Sequence, residues 1–430
     1  MTFRLLALLV LVSAGSLADA ADWPQWRGPD RSGVSQETGL LKAWPTDGPK
    51  LLWTFTNAGL GHSSFAVVGN TLYTLGTRGA DEIVLALDVA KGTELWTAKI
   101  GPVFTFVGNS WGDGPRSTPT IDGDNLYALG GQGNLVCLDR TDKGKEVWRK
   151  NLPMDFGGEM MTQWGYSESP LVDGPLLVCT PGGERGTMIA LDKKDGKVIW
   201  QSKELKNKAP YSSIIAADIH GVRQYIQNSY IDEIAGGVIS GIGAKDGKVL
   251  WSMPTFKGQS YAIAPTPVVR DNLVYTTNDS LAGCHCFELD KSFMAKDLYT
   301  GKSRNAMKNA HGGVVLIGDH VFGHSAGPGW TCQDFKTGKA MWSERNKLGC
   351  QKSGAVTAAD GLLYLLTDEG EVGLVEADPK EFKDIGSFKL PRASQLPGKA
   401  SSPWAHPVVA NGRLYVRDHD LVFCFDVKGK

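Results

Sequence analysis

A phrase that recurs along the chain constrains the fold more than any other feature. It has a small residue two positions before an Asp, then a Gly-containing turn, then a Trp eight or nine residues after that Asp. Four clear copies run from Ala86 to Trp96, from Cys137 to Trp148, from Ala190 to Trp200, and from Cys332 to Trp342. Short runs rich in β-forming residues flank each turn, so every copy predicts a hairpin of two strands.

Weaker copies extend the pattern over the rest of the chain. They run from Gly241 to Trp251, from Ala295 through Thr300-Gly301-Lys302 with Asn305 in the Trp position, and around Asp378 to a point near Phe388. A second recurring pattern precedes each hairpin. In it an aromatic residue lies eight positions after a fixed position, called the register point, as Tyr73 lies after Phe65 and Tyr127 after Pro119. Each unit therefore supplies four short strands, and there are eight units.

The two ends of the chain complement one another. The last unit, which ends in Cys424 to Lys430, lacks its outermost strand and its Trp, whereas Gly48 to Trp53 supplies such a strand before the first full unit. Radially repeated four-stranded units form propellers. The sequence thus predicts an all-β, eight-bladed β-propeller whose ring closes when an N-terminal strand pairs with the last blade. An open β-solenoid is the alternative, but it leaves this complementarity unexplained.

The N-terminus has the pattern of an export signal. Arg4 precedes the apolar run Leu5 to Val12, and Ala18-Asp19-Ala20 has the form of a cleavage site. We expect residues 1–20 to be a signal peptide, 21–45 an N-terminal extension and 46–430 the propeller, with a soluble mature protein in the periplasm or secreted. No Cys stands at the cleavage point, so no lipid anchor is expected. A buried N-terminal strand is the alternative interpretation of residues 1–20.

Charge and motif content narrow the function. The formal net charge of −1 argues against nucleic acid or an anionic membrane as principal partner. No apolar run approaches the ~20 residues of a membrane-spanning helix. The chain has no G-x-S-x-G, H-E-x-x-H, P-loop or dinucleotide fingerprint, which excludes hydrolase, zinc-peptidase and kinase interpretations. We expect a monomer that binds protein or carbohydrate at one propeller face.

The repeat Trp and Cys residues are interpreted as structural. An indole suits the seam between blades, where a large apolar area has to be buried. Cys137, Cys332 and Cys424 occupy a position where other copies have Ala, which predicts a tightly packed slot. Cys284-His285-Cys286 suggests a metal site, but alternation along a strand sends His285 to the opposite side, so no metal is predicted there.

Candidate site residues come from the start of each innermost strand. Residues just ahead of these strands converge on one mouth of the central channel. Counting three positions before the register point selects His62, Arg116, Ser167, Ile214, Ala264, His311, Ser353 and Trp404. The loops also carry Trp111, Asp113, Trp164, Tyr166, Glu168, Tyr211 and Tyr261.

Six of these residues are candidates for cofactor binding. Arg116 suits a carboxylate or a quinone oxygen, His62 and His311 suit proton relay or metal binding, and Trp404 offers a stacking surface. Asp113 and Glu168 are the carboxylates to suspect first as a base or cation ligand. The alternative is that these polar groups only satisfy one another and ordered water in a narrow channel.

The repeat phrase, its Gly-Lys turn and the segment Asp22-Trp23-Pro24-Gln25-Trp26-Arg27-Gly28-Pro29 resemble the PQQ-like propeller proteins, a group of exported bacterial proteins. The resemblance covers essentially the whole mature chain and implies a propeller of the quinoprotein (PQQ-repeat) type. Gly114 to Pro119 and Lys308 to Val314 resemble a subgroup of this family, in which a second His is common at the position of Ala310.

The resemblance implies two functions. Quinoprotein alcohol dehydrogenases hold PQQ over the channel with a calcium ion and use an Asp base. This chain has no adjacent Cys pair for their vicinal disulfide and no heme motif. The propeller lipoprotein of the outer-membrane β-barrel assembly machine binds proteins and catalyses nothing. We therefore expect a binding or assembly scaffold rather than an enzyme, with no certain cofactor; the alternative is a quinoprotein-like oxidoreductase holding PQQ, with Ca²⁺, through Arg116, His311 and Trp404.

Overall fold

The chain folds into eight radially arranged β-sheets. The computed structural model describes residues 22–260, 262–278, 283–300, 307–400 and 402–429. Within them, each of eight sheets is a meander of four antiparallel strands, and one sheet carries an additional edge strand. The predicted all-β, eight-bladed propeller is confirmed. The predicted signal peptide, residues 1–20, lies outside the described residues.

Strands are numbered along the chain, and blades 1 to 4 follow two N-terminal strands. These two are β1 (Val34–Ser35) and β2 (Lys50–Phe55). Blade 1 contains β3 (Ala66–Val68), β4 (Thr71–Arg78), β5 (Asp81–Asp88) and β6 (Glu94–Pro102). Blade 2 contains β7 (Thr120–Asp122), β8 (Asn125–Leu129), β9 (Asn134–Asp139) and β10 (Lys145–Asn151), followed by the helix α1 (Leu152–Phe156). Blade 3 contains β11 (Leu171–Asp173), β12 (Leu176–Cys179), β13 (Ile189–Asp192) and β14 (Val198–Gln201). Blade 4 contains β15 (Ile215–Ile219), β16 (Val222–Tyr230), β17 (Gly237–Gly243) and β18 (Val249–Phe256).

Blades 5 to 8 complete the ring. Blade 5 contains β19 (Val268–Arg270), β20 (Leu273–Asn278), β21 (Gly283–Leu289) and β22 (Ala295–Thr300). Blade 6 contains β23 (Val314–Ile317), β24 (His320–Ser325), β25 (Gly329–Asp334) and β26 (Ala340–Glu344). Blade 7 contains β27 (Ala355–Ala359), β28 (Leu362–Leu366), β29 (Glu371–Glu376) and β30 (Asp384–Lys389). Blade 8 contains β31 (Val408–Ala410), β32 (Arg413–Asp418) and β33 (Leu421–Asp426). No helix among the described residues is long and apolar enough to cross a membrane.

Blade 8 is built from both ends of the chain. Strand β2 pairs antiparallel with β33 and forms the outermost strand of this blade, with Trp53 opposite Cys424 and Lys50 opposite Asp426. This pairing is the ring closure that the sequence predicts. It joins segments more than 360 residues apart, so the four-stranded form of blade 8 depends on both ends of the chain.

Each outermost strand contains a β-bulge directly before the position that docks on the next blade. The bulged residue is aliphatic in every blade: Leu52, Leu95, Val147, Ile199, Leu250, Leu298, Met341 and Ile385. A bulge bends the strand and re-aims the side chain that follows it. Here it helps turn the docking aromatic residue toward the neighbouring blade.

The repeat Trp residues lie at the seams between blades, as predicted. Trp148 Nε1 donates to the Lys193 carbonyl oxygen of the next blade at 3.1 Å, and Trp200 Nε1 donates to that of Ala244 at 3.0 Å. Both of these indoles also lie against the turn glycine of the next hairpin, Gly196 for Trp148 and Gly247 for Trp200. A Cβ atom at Gly247 would be only 2.5 Å from the Trp200 ring. The turn therefore requires glycine both for its backbone angle and for the indole above it.

The slot two positions before the repeat Asp is tightly packed, as predicted. Cys137 is fully buried and lies on β9 between Tyr127 of β8 and Trp148 of β10. Cys332 and Cys424 have the same two aromatic neighbours in their blades. Ala or Cys fits there because both flanking positions carry large rings. Among the described residues, no group of three side chains is arranged to hold a metal ion.

The predicted register of blade 5 was wrong. The segment beginning at Ala295 is the outermost strand β22, and its docking residue is Tyr299, whose hydroxyl donates to the Phe335 carbonyl oxygen at 2.9 Å. Asn305, which was expected to replace the Trp, lies outside the described residues. The true turn follows Asp290 and has no glycine, because Phe293 adopts the left-handed conformation at φ 61°. Without that glycine, Thr300-Gly301-Lys302 resembled the turn more closely.

Blade 7 takes its docking indole from elsewhere in the chain. Gly386, and not Phe388, occupies the docking position opposite Leu374. Trp44 of the N-terminal segment lies over this glycine, and its ring centroid is 6.0 Å from that of Tyr364. The repeat Trp148 and Tyr127 are 6.1 Å apart in blade 2. Trp44 thus restores the contact that the degenerate repeat lacks, and the repeat pattern gave no sign of it.

Residues 22–35, called the N-terminal plug below, lie across the channel inside the ring. The plug makes backbone or side-chain contacts at the innermost strand of every blade. In blade order these contacts are Trp23 with Val67, Pro24 with Ile121, Arg31 with Pro170 and with Ile214, Trp26 with Thr266, Arg27 with Val314, Val34 with Ala358, and Ser35 with Val409. A segment that reaches all eight blades closes off the passage through the ring.

The seam contact leads to a stability prediction. Gly247 and Gly174 both have positive φ, 72° and 57°, but a Cβ at Gly174 meets no atom within 4 Å. We expect Gly174→Ala to cost only the left-handed backbone term, about 1–2 kcal/mol. Gly247→Ala should cost about 1–3 kcal/mol more, because the methyl group collides with Trp200.

Thermal and urea unfolding of the two variants, followed by tryptophan fluorescence, measure this difference. The Gly174→Ala protein is the matched control for backbone strain. Equal losses of stability in the two variants would contradict the proposed role of the seam glycine.

Candidate functional site

A cavity lies at one end of the channel, where the innermost strands begin. In a four-stranded meander the loops between blades and the turns between second and third strands share that end, called the cavity face below. The cavity has a volume of about 550 Å³, which is typical of small-molecule sites. Its described lining consists of Trp26, His62, Trp111, Arg116, Trp164, Ser167, Tyr211, Ser213, Ala262, Ala264, Ala310, His311, Trp404 and His406.

Four of the six cofactor candidates line this cavity together. His62, Arg116, His311 and Trp404 come from the loops before β3, β7, β23 and β31. Their convergence follows from the ring, since each stands at the same position of its own blade. Of the other four positions in that register, Ser167 and Ala264 also line the cavity, whereas Ile214 and Ser353 are buried outside the lining.

The two candidate carboxylates do not line the cavity. Asp113 accepts a hydrogen bond from the Asn109 side chain at 2.8 Å, and its backbone N–H donates to Gly398, so it fixes the loop behind Trp111. Glu168 is buried and accepts hydrogen bonds from the Thr180 backbone and the Gln227 side chain. Burial raises the pKa of Glu168 to about 7, against the opposing effects of those hydrogen bonds and of Arg31.

Four aromatic side chains form a continuous strip along the cavity, called the aromatic wall below. The ring centroids are 5.2 Å apart between Trp404 and Trp111, 5.5 Å between Trp111 and Trp164, and 6.0 Å between Trp164 and Tyr211. Successive ring planes are tilted by 35°, 52° and 38°, so no two neighbouring rings of the wall are coplanar. The four residues come from four different blade-to-blade loops, that of Trp404 being the loop before β31.

Two lining residues had no signal in the repeat pattern. Trp26 belongs to the N-terminal plug, and its indole N–H donates to Thr266 at 3.0 Å. Its ring lies 4.5 Å from that of His406, which precedes β31. Trp26 could not be found from the sequence, because the path of the plug across the ring is a tertiary feature with no counterpart in the repeats. His406 lies in the same loop as Trp404, and a count of three positions before the register point passes over it.

Arg116 gives the lining its one permanent positive charge. Its guanidinium group donates to the carbonyl oxygens of Gly112 and Gly114 at 2.7 and 2.8 Å and lies 4.8 Å from the centre of the Phe104 ring. Burial lowers its pKa to about 10, so it stays charged at neutral pH. Among the described residues no carboxylate lies within ion-pair distance of it.

A buried carboxylate supports Arg116 from behind. Glu82 accepts hydrogen bonds from the backbone N–H groups of Phe104 and Gly131 at 3.1 and 2.9 Å. Burial raises the pKa of Glu82 to about 7, and those hydrogen bonds and the charge of Arg116 oppose the shift. Glu82 therefore holds in place the Phe104 ring on which the guanidinium group rests, without forming an ion pair with it.

The lining histidines are neutral at neutral pH. Burial lowers the pKa of His311 to about 4 and that of His406 to about 3, and it moves the pKa of His62 well below its ordinary value. His406 Nε2 lies 3.1 Å from the His311 carbonyl oxygen. Within the described part of the chain, His311 Nε2, His406 Nδ1 and Trp404 Nε1 are buried without a hydrogen-bond partner. Such atoms normally find one, so a ligand or water is expected against them.

The arrangement is suited to binding and not to acid–base chemistry. It combines ring faces, one cation and unpartnered hydrogen-bonding atoms, which can hold a ligand with rings, an anionic group and polar edges. Its described lining has no carboxylate and no cysteine. The described lining therefore offers no carboxylate that could act as a general base. It also offers no acidic oxygen ligand for a hard cation.

A family model described as outer membrane protein assembly factor BamB matches residues 80–344, more than half of the chain. The chain is 27% identical over 240 residues to the assembly factor BamB of Shewanella oneidensis, covering 51% of this chain and 53% of that protein. It is 26% identical over 202 residues to a polyvinylalcohol dehydrogenase of Sphingopyxis sp., covering 43% and 29%. The matches thus span about half or less of these relatives.

Solved structures share the fold. BamB from Moraxella catarrhalis superimposes with a TM-score of 0.60 at 14% identity, covering 88% of this chain and 99% of that chain. The quinohemoprotein alcohol dehydrogenase of Comamonas testosteroni gives a TM-score of 0.67 at 14% identity, covering 95% and 81%. Similar proteins therefore include both an assembly factor and dehydrogenases, and at these identities the likeness concerns the fold alone.

The buried histidines lead to a pH prediction. The folded-state pKa of His406, about 3, lies below the ordinary value of 6.5, so its contribution to stability is present above pH 6.5 and is lost as the pH falls toward 3. We expect the free energy of unfolding to fall with decreasing pH more steeply in the parent protein than in His406→Gln, by up to about 1.4 kcal/mol per pH unit. Glutamine keeps a donor for the His311 carbonyl oxygen.

Urea unfolding of both proteins at several pH values between 7.5 and 4.5 measures the slopes. Parallel pH profiles would show that His406 is protonated in the folded protein as readily as in the unfolded chain, contrary to this prediction.

Proposed function

Because the chain belongs to the family described as outer membrane protein assembly factor BamB, we propose that it is an exported binding scaffold without catalytic activity. It receives a protein or carbohydrate partner at the cavity face. The observation that carries the proposal is the composition of the cavity: aromatic faces and one guanidinium group, with no acidic side chain in the described lining.

Exposed apolar side chains around the cavity support a binding role. Val107 and Trp111 lie on the loop between blades 1 and 2, Met154 lies in α1, and Ile231 and Ile234 lie between β16 and β17. All five belong to the cavity face by the topology of the meander. Exposed apolar residues beside a concave site are typical of interaction surfaces, and the exposed Ile234 and Val107 are the most accessible of them.

A quinone cofactor is the second candidate, favoured by Arg116 and Trp404 on the same cavity. Bound PQQ would supply a hydride acceptor, and the guanidinium group and indole suit its carboxylates and ring system. The fit is partial. A calcium ion needs oxygen ligands and the dehydrogenase reaction needs a base, whereas Asp113 and Glu168 point away into hydrogen bonds of their own. No catalytic step is therefore derived for this chain.

Photo-crosslinking in the cell of origin tests the scaffold. A photoreactive amino acid at Val107 or Ile234 should give a discrete adduct, because both positions are exposed on the cavity face. The controls are Val222 and Met294, exposed at turns of the opposite face. Equal adduct yields from both faces, or none from the cavity face, would contradict the proposal.

Calorimetric titration with PQQ, with and without calcium, separates the two candidates. The scaffold predicts no saturable binding at high micromolar PQQ. One-to-one binding that is weakened at least about tenfold by Arg116→Ala and by Trp404→Ala would replace the scaffold with the cofactor-binding function. Arg140→Ala is the control, since Arg140 donates to Gly123 on the opposite face.

A further inference from the structure

We propose that the cavity binds an acidic saccharide chain, with sugar rings against the aromatic wall and a uronic carboxylate at Arg116. This inference rests on the proposed binding function and names the chemistry of the ligand. It is carried by three features of the lining: the shape of the aromatic wall, the unpaired guanidinium group, and the buried polar atoms without partners.

The aromatic wall suits a chain of rings better than a single flat molecule. Its four members lie in three steps of 5.2 to 6.0 Å, and each plane is turned from the previous one by 35° to 52°. A rigid planar ligand can lie flat on only one member of a wall whose neighbouring rings are not coplanar. A saccharide chain turns at each glycosidic bond, so successive rings can present their apolar C–H faces to successive side chains.

The positive charge of Arg116 in the described lining is complementary to a ligand with one anionic group. Arg116 uses two of its donors on the carbonyl oxygens of Gly112 and Gly114, which hold the guanidinium group in a fixed orientation. An arginine has five N–H donors in all, so further donors remain for a ligand carboxylate. Since the lining histidines are neutral and no described lining residue is acidic, the cavity favours an anion over a neutral or cationic ligand.

The remaining polar atoms match hydroxyl groups. Trp404 Nε1 can only donate. His406 Nε2 donates to the His311 carbonyl oxygen, so the neutral His406 ring leaves Nδ1 as an acceptor, whereas His311 Nε2 donates or accepts according to its tautomer. All three atoms are buried at the cavity without a partner among the described residues. Sugar hydroxyl groups both donate and accept, so they can pair with each of these three atoms, whereas a carboxylate alone only accepts.

The depth of the cavity sets the direction of binding. Trp26 of the N-terminal plug lies at the inner end, where its ring packs on His406. The exposed Trp111 lies at the open end, with 38% of its surface accessible. Since the plug contacts the innermost strand of every blade, a chain enters from the cavity face, toward the floor to which Trp26 belongs.

Binding to a panel of oligosaccharides tests the inference. The probes are short oligouronates from pectin, alginate and hyaluronan-type polymers, each paired with its carboxyl-reduced form, and the readouts are calorimetry and quenching of tryptophan fluorescence. We expect at least one oligouronate to bind saturably and its carboxyl-reduced partner to bind at least about tenfold more weakly. Arg116→Gln should weaken the oligouronate by a similar factor and the reduced form by less than about threefold.

Two further variants separate the contributions. Trp164→Ala removes the centre of the aromatic wall and should weaken both members of each pair, whereas Arg140→Gln, on the opposite face, should change neither. Equal binding of acidic and reduced forms would overturn the role of Arg116. Absence of binding across the panel would overturn the saccharide inference, and the cavity-face adducts described above would then decide separately whether the scaffold stands.

Discussion

The contact between the outermost strand of one blade and the hairpin turn of the next is the interaction on which this ring depends. It combines an aromatic side chain with a β-bulge that aims it, and at seams such as that of Trp200 and Gly247 a glycine lets the ring lie on the neighbouring turn. Because the contact is local to two blades, stability accumulates seam by seam, as in other repeat proteins. The two blades with degenerate repeats keep the contact in other ways. In blade 5, Tyr299 stands at the position of the repeat Trp, and in blade 7 the indole is that of Trp44, from a distant segment.

The N-terminal segment does more than complete a blade. Its buried arginines, Arg27 and Arg31, donate to backbone carbonyl oxygens at the innermost strands of three different blades, and burial lowers the pKa of each to about 10. Carbonyl oxygens that begin a strand have no ladder partner, and a multidentate guanidinium group can satisfy several at once. The plug thereby ties the ring together from inside and supplies Trp26 to the cavity. Fold closure and the floor of the site depend on the same stretch of chain.

What the sequence could predict follows the range of the interactions involved. Hairpin turns, docking residues and the register of the innermost strands are encoded within single repeats, so the blade count, the closing strand and the convergence of His62, Arg116, His311 and Trp404 could be predicted. Features that join distant segments could not: Trp44 over Gly386, Trp26 against His406, and the direction in which Asp113 and Glu168 point. Blade 5 shows the limit within one repeat, because a left-handed Phe293 in place of glycine was enough to shift the predicted register.

The electrostatics of the cavity fit the proposed binding role. Catalysis by proton transfer needs a group whose pKa lies near the working pH and which faces the ligand. Here the two carboxyls with a pKa near 7, Glu82 and Glu168, are enclosed behind the lining, while the histidines that face the cavity have pKa values too low to be protonated. The two carboxyls that would titrate near pH 7 are thus held away from the ligand, whereas the histidines that face the ligand stay neutral in that pH range. Such a lining presents the same charge to its ligand across the neutral pH range, which is what recognition requires and proton transfer does not.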